Sequence, residues 1–145
     1  MEYKAIIWDL DGTLLDTLQD LADAVNHSLE KYGLPVRTKE EIRAIVGRGI
    51  RHLVENAVPA GTDAALTDAV FGEFCTYYAA HSADTTAPYA GIPALLEKLS
   101  RSGVKMAIVS NKADFAVQDL AKRYFGEVIP VSVARKYRIS TAGKK

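Results

Sequence analysis

The sequence predicts an α/β protein in which a block of helices interrupts a small parallel sheet. Short apolar runs without helical periodicity, which are typical of buried strands, occur at residues 4–8, 104–109 and 127–133. Between residues 16 and 87 we find no convincing strand, and hydrophobic residues recur there at helical spacing. After Pro88 strands and helices alternate, which is the pattern of parallel βαβ units.

The first elements have clear boundary signals. The run at residues 4–8 has no 3.6-residue period, so we expect a strand that is buried on both faces. Residues 18–32 form an amphipathic helical pattern, which ends at Gly33 because glycine favours helix termination. The segment 38–41, Thr-Lys-Glu-Glu, matches a capping box and predicts the start of the next helix.

The later elements follow the same logic. Gly47-Arg48-Gly49 breaks the second helical pattern, which resumes over residues 50–57, and a further helix is predicted over 66–77. Two more helices, over residues 93–99 and 117–124, each precede one of the two later strand candidates. The result is a strand, a helical block, and then helix, strand, helix, strand.

Composition and charge limit the classes of function. The chain has 145 residues, 48% hydrophobic and 25% charged, as in an ordinary globular protein. The first 131 residues carry 13 basic and 18 acidic side chains, whereas the last 14 carry five bases and no acid. We therefore expect neither nucleic acid nor a membrane as a partner, because the basic tail is a short solvated end on an acidic body. Cys75 is the only cysteine and no secretion signal is present, so we expect a cytoplasmic location.

The clearest chemistry follows the first strand, in Asp9-Leu10-Asp11-Gly12-Thr13-Leu14-Leu15-Asp16-Thr17. Ligands bind at the carboxyl ends of strands in open α/β sheets, and two carboxylates two residues apart can both face that crevice. One carboxylate can attack phosphorus and form an aspartyl-phosphate, while the other acts as acid and base. A hard cation such as Mg²⁺ prefers such oxygen ligands. The alternative is a plain Asp-Gly turn with Asp16 as a helix cap, which explains Asp16 equally well but not the whole nonapeptide.

This nonapeptide resembles the first motif of the haloacid dehalogenase-like hydrolases. The helical block behind it resembles the small α-helical cap of that superfamily. Residues 107–112, a strand candidate running into Ser110-Asn111-Lys112, resemble the second motif. Together with Pro88-Tyr89-Ala90-Gly91-Ile92, these residues look most like the phosphoglycolate phosphatase branch.

The resemblance covers about residues 4–129 and carries an expected architecture. It implies a Rossmann-like α/β core at residues 1–15 and 88–145, with about three strands of a parallel sheet. It also implies an inserted α-helical cap at residues 16–87.

The resemblance also implies roles for individual residues. Asp9 would be the nucleophile and a Mg²⁺ ligand, and Asp11 the acid/base and a ligand through its backbone carbonyl. The implied reaction is Mg²⁺-dependent hydrolysis of a small phosphorylated metabolite, with 2-phosphoglycolate as the leading candidate. A β-phosphoglucomutase-like phosphomutase is the alternative enzyme. The candidates for binding substrate or phosphate are Gly12, Thr13, Ser110, Asn111, Lys112 and Arg48.

Two of these candidates have structural alternatives of their own. In a capped phosphatase, Arg48 would face the cleft and pair with a substrate carboxylate or phosphate, but a solvated arginine at a helix break is equally well supported. Ser110-Asn111-Lys112 could form the N-terminal cap of a helix, which is compatible with phosphate binding because free N–H groups there attract anions.

The sequence departs from the resemblance near its end. No Asp or Glu follows Glu127, so the last acidic motif of the family has no counterpart. Lys144 or Lys145 has a suitable distance from Ser110 for the family lysine but lacks the following proline, and Lys112 could serve only if it turned inward. We therefore expect a C-terminally incomplete member, and a catalytically impaired fragment is a further alternative. Its first strand would be an unpaired edge, and a homodimer would form through that edge or the cap.

Overall fold

The computed structural model describes residues 3–135 of the chain. It confirms the α/β class with three parallel strands. The elements in chain order are β1 (Ala5–Trp8), β2 (Leu15–Asp16), α1 (Leu18–Lys31), α2 (Lys39–Ile45), α3 (Ile50–Ala57), α4 (Ala64–His81), β3 (Ala87–Pro88), α5 (Ile92–Arg101), β4 (Lys105–Ala113), α6 (Asp114–Phe125) and β5 (Val131–Arg135).

The main sheet has the strand order β1-β4-β5, and both neighbouring pairs are parallel. Within the described residues β1 therefore lies at an edge, as the sequence predicted. A second, two-stranded sheet pairs β2 with β3 in antiparallel fashion, with Leu15 opposite Pro88. These two short strands were not predicted. They bracket the segment 16–87, which holds α1 to α4 and which we call the helical insertion.

One face of the main sheet is covered and the other is open. Leu96 of α5 and Leu120 of α6 pack in one cluster with Ile108 of β4, so both helices lie on the same face. Two right-handed crossovers that advance in the same direction along a sheet produce this arrangement. On the opposite face Ile7 of β1 is 72% exposed and Val133 of β5 is 54% exposed. The expectation that the first strand is buried on both faces is therefore wrong for the described residues.

The helical insertion has a hydrophobic core of its own that continues onto the sheet layer. Phe74 of α4 is fully buried among side chains from α1, α2 and α3, and Ala113 and Ala116 join the same cluster at the start of α6. This continuity places the insertion against the carboxyl end of β4. None of the described helices combines the length and the apolar character needed to cross a bilayer.

Asp20 ties the beginning of the insertion to its end. Its carboxylate is 2% exposed and accepts hydrogen bonds from the backbone N–H and the hydroxyl of both Thr85 and Thr86, at 2.6–3.1 Å. Burial alone would raise the pKa of Asp20, but these hydrogen bonds outweigh it and hold the pKa below its usual range. These hydrogen bonds, which we call the Asp20 clasp, fix α1 against the segment that returns to the core.

We expect Asp20→Asn to lower the free energy of unfolding at pH 7 by about 2 kcal/mol, because an amide NH₂ group would face donors that need an acceptor. A depressed pKa stabilises the fold above the ordinary aspartate pKa of about 3.9, and this contribution is lost as pH falls through the folded value. Urea unfolding at pH 7 and pH 3 should therefore show a smaller wild-type-to-variant difference at pH 3. Asp23→Asn, an exposed position on the same helix, is the matched control. Equal differences at both pH values would contradict the clasp.

Candidate active site

The loop after β1 is shaped by buried leucines. Leu10, Leu14 and Leu15 are fully buried, and the Leu10 carbonyl accepts hydrogen bonds from the N–H groups of Thr13, Leu14 and Leu15 at 3.0–3.3 Å. Gly12 has φ +73°, a left-handed conformation that other residues rarely adopt. The loop thus anchors its apolar side chains in the core.

Asp9 and Asp11 flank the buried Leu10 at the carboxyl end of β1, and Asp9 is the more exposed of the two. Asp9 is exposed, and its Oδ1 accepts a hydrogen bond of 2.7 Å from the Leu10 N–H. Its Oδ2 has no partner among the described residues. A carboxylate held through one oxygen with the other free is suited to nucleophilic attack.

Asp11 is held more firmly than Asp9. Its Oδ1 accepts hydrogen bonds from the Thr17 hydroxyl at 2.6 Å and from the Lys112 ammonium at 2.9 Å, and its side chain is 14% exposed. Both donors use the same oxygen, so Oδ2 of Asp11 is left without a partner among the described residues. That oxygen is the one able to exchange a proton with a ligand.

Lys112 turns inward, which is the orientation that it needs to serve as the family lysine. Its side chain is 1% exposed, and its ammonium lies 4.7 Å from the centroid of the Tyr78 ring in α4. Burial disfavours the charged ammonium, but interactions with Tyr78 and Asp11 outweigh that effect and raise the pKa of Lys112. Burial also raises the pKa of Tyr78 to about 12. The lysine is therefore a cation enclosed between the sheet and the helical insertion.

The rest of the second motif extends β4 rather than capping α6. Ser110 is buried, and its hydroxyl accepts a 3.2 Å hydrogen bond from the Lys112 N–H. Asn111 is exposed and donates through Nδ2 to the Gly47 carbonyl of the helical insertion at 3.2 Å. The cap residue of α6 is Ala113, without a side-chain hydrogen bond, so the helix-cap alternative is wrong.

A narrow cleft brings five predicted site residues together. Gly47, Val46 and Ile50 of the helical insertion form part of its opposite wall. The predicted site residues in its lining are Asp9, Asp11, Ser110, Asn111 and Lys112.

A second, wider recess of about 420 Å³, which we call the side recess, adjoins the cleft. The two share Asp11, Val46 and Gly47. The described lining of the side recess consists of Asp11, Gly12, Asp16, Thr17, Leu18, Arg43, Val46, Gly47 and Tyr89.

The other predicted site residues lie elsewhere or at the margin. Gly12 lines the side recess, whereas Thr13 and Arg48 are exposed and line neither space. Their assignment as binding residues stays a prediction. Lys144 and Lys145 lie outside the described residues.

Sequence reasoning missed Tyr78, Arg43 and Tyr89 as residues near the site. Tyr78 lies in the hydrophobic cluster of the helical insertion. Strand alternation is no signal for these three residues, since it indicates only that Ser110 and Lys112 share a face if β4 runs past Val109.

The donors present fit a hard divalent cation. The Asp9 carboxylate is accessible, and the Asp11 backbone carbonyl accepts no hydrogen bond within the described residues. Residues 3–135 contain no group of three or more metal-ligating side chains. Mg²⁺ commonly takes only one or two carboxylates and completes its shell with waters and phosphate oxygens, so this donor set suits it.

Comparison with known proteins gives a consistent result. The Haloacid dehalogenase-like hydrolase family matches residues 6–128. A phosphoglycolate phosphatase of Caulobacter vibrioides is 39% identical over 110 residues, which cover 74% of this chain and 46% of that protein. One of Agrobacterium fabrum is 35% identical over 130 residues, which cover 84% of this chain and 56% of that protein. The chain thus spans about half the length of the curated relatives it matches.

Solved structures show the same likeness in three dimensions. A candidate phosphoglycolate phosphatase from Lactobacillus delbrueckii subsp. bulgaricus superimposes with a TM-score of 0.85 at 32% identity. The match covers 94% of this chain and 66% of that chain. The arrangement of sheet, loop and helical insertion is therefore shared with solved proteins.

Proposed function

The chain belongs to the haloacid dehalogenase-like hydrolases, and from this premise we propose that it performs Mg²⁺-dependent hydrolysis of a small phosphate monoester. We propose 2-phosphoglycolate as the substrate, because relatives at 35–39% identity are phosphoglycolate phosphatases. The matched residues cover about half the length of these relatives, so the activity of the whole protein is stated here as a proposal.

The observation that carries the proposal is that two neighbouring carboxylates differ in exposure and in hydrogen bonding. Asp9 is exposed with a free Oδ2, whereas Asp11 is fixed through Oδ1 by Thr17 and Lys112. Two carboxylates in different environments can divide the tasks of nucleophile and acid/base.

The proposed reaction has two steps. Asp9 Oδ2 attacks phosphorus, the bond from phosphorus to the ester oxygen breaks, and the departing alkoxide takes a proton from Asp11 Oδ2. In the second step Asp11 removes a proton from water, which attacks phosphorus and releases inorganic phosphate and the free Asp9 carboxylate. Ser110 would donate a hydrogen bond to the phosphoryl oxygens.

Asp9 and the Asp11 backbone carbonyl would hold the cation. Mg²⁺, when bound there, supplies positive charge that offsets the negative charges of the phosphoryl group and the carboxylates. Lys112 adds a second, permanent positive charge at Asp11.

Release of inorganic phosphate from 2-phosphoglycolate, measured with and without Mg²⁺, tests the proposal. We expect release in Mg²⁺ and near-complete loss in EDTA, with recovery when Mg²⁺ is restored. p-Nitrophenyl phosphate serves as a generic monoester in a parallel assay. No Mg²⁺-dependent release from either ester would contradict a phosphatase function.

Other expectations stay predictions. The division into a core at residues 1–15 and 88–145 and a cap at 16–87, a cytoplasmic location, and a homodimer through the cap or the β1 edge are each untested. The small phosphorylated substrate is part of the proposal above.

A further inference from the structure

Asp11 stands where the cleft and the side recess meet. The cleft is lined by both Asp9 and Asp11, whereas the side recess is lined by Asp11 but not by Asp9. The two spaces therefore differ in which catalytic group they reach.

This difference assigns a part of the substrate to each space. In an in-line displacement the nucleophile and the leaving group lie on opposite sides of phosphorus. The acid/base must contact the leaving oxygen within hydrogen-bond distance. The leaving group consequently lies beside Asp11 and away from Asp9, which is the position of the side recess. This step rests on the proposed function.

The charges in the side recess indicate what kind of leaving group it accepts. Asp16 and Asp11 contribute negative charge, and Lys112 already neutralises Asp11. Arg43, in the last turn of α2, is the only basic residue among the described lining residues. Arg43 is exposed and forms no ion pair within residues 3–135, which is also true of Arg48, but only Arg43 lines the side recess.

Arg43 also acts on a second lining residue of the side recess, Tyr89. Burial and the neighbouring Asp16 raise the pKa of the Tyr89 hydroxyl, and the positive charge of Arg43 opposes that rise. The guanidinium therefore shares the recess with a hydroxyl that can donate a hydrogen bond to the same ligand.

We propose that the side recess holds the leaving group of the substrate and that Arg43 pairs with a carboxylate on it. The guanidinium offers two parallel N–H donors that match a carboxylate. Without Arg43, Asp16 would leave the recess negative and unfavourable for an anion. The proposed substrate, 2-phosphoglycolate, carries such a carboxylate on its leaving group, and Arg43 is the residue that selects for it. This assigns to Arg43 the pairing that the sequence analysis considered for Arg48.

The test compares two esters of similar size, 2-phosphoglycolate and ethyl phosphate, of which only the first carries a carboxylate. Calorimetry in Mg²⁺ uses an Asp9→Asn background, so that no ester is consumed. We expect Arg43→Gln to weaken 2-phosphoglycolate binding about tenfold, equivalent to about 1.4 kcal/mol, and to change ethyl phosphate binding less than about twofold. Arg43→Lys should weaken 2-phosphoglycolate binding less than Arg43→Gln does, because lysine keeps the positive charge but loses the planar pair of N–H donors.

Lys39→Gln is the matched control, since it removes one exposed positive charge from the same helix. It should affect neither ester. Equal weakening of both esters by Arg43→Gln, unchanged binding of both, or a selective loss in Arg48→Gln instead would each overturn the inference. Circular dichroism of each variant checks that it is folded. If Arg43→Gln is not folded, the two esters are compared in Arg43→Lys instead. A wild-type protein that releases phosphate from neither ester in Mg²⁺ would overturn this inference and the proposed function together, whereas the preceding outcomes overturn the inference alone.

Discussion

Asp9→Asn is expected to reduce phosphate release from 2-phosphoglycolate by at least about 10³-fold, because the amide oxygen cannot serve as the attacking group. The fold should be unaffected. Asp9 is exposed, and an asparagine oxygen can still accept the Leu10 N–H hydrogen bond. Steady-state release in Mg²⁺, with the unfolding midpoint measured alongside, gives both results.

Asp119→Asn is a suitable control, because it makes the same chemical change on the exposed surface of α6. Intact-mass analysis after rapid quenching adds an independent readout, since the wild type should gain one phosphoryl group and Asp9→Asn none. Turnover in Asp9→Asn that equals the wild-type rate would refute the nucleophile assignment.

Much of the fold follows from local patterns in the sequence. Helical spacing predicted all six helices, and Gly47 and Gly49, with φ of 113° and 98°, separate α2 from α3 as expected. The third strand was predicted four residues early, at 127, because Val128 and Ile129 are apolar. In the structure the N–H groups of these two residues donate to the Phe125 carbonyl in a turn after α6, and the Ile129 side chain is buried. A short apolar run cannot distinguish a buried turn from a strand.

The site was predictable where one contiguous motif forms it and not where distant segments meet. Asp9 and Asp11 followed from the loop after the first strand. The contact between Lys112 and Asp11 joins residues 101 positions apart, and it depends on β4 continuing to Ala113 rather than ending at Val109. That continuation puts Ser110 and Lys112 on the covered face. No local signal gives the end of a strand with that accuracy.

The choice between Arg43 and Arg48 shows the same limit. Arg43 shortly precedes the helix break and Arg48 lies within it, and both are arginines next to the same helix end. Which one lines a space beside Asp11 depends on how α2 packs against the core, which is set by long-range contacts of Ile42 and the other buried residues of the helical insertion.

Lys112→Met is expected to be the most destabilising of the charge-removing substitutions considered. Methionine fills similar volume, but it leaves the Asp11 carboxylate without its buried counter-ion and removes the cation over the Tyr78 ring. Removing one partner of a buried ion pair costs about 3–5 kcal/mol, and we expect about 3 kcal/mol because Asp11 is partly open to water. Lys105→Met, at an exposed position of the same strand, should change the free energy of unfolding by less than about 0.5 kcal/mol.

A double-mutant cycle separates the ion pair from simple loss of packing. If the cost comes from an unpaired carboxylate, Asp11→Asn combined with Lys112→Met should be more stable than the sum of the single changes predicts, because no charge is then left alone. The expected coupling between the two sites is about 1–2 kcal/mol. Strictly additive losses would mean that Lys112 contributes through packing against Tyr78 alone. In that case the lysine would not be what holds Asp11 Oδ1, and Thr17 would be the remaining donor that positions the acid/base.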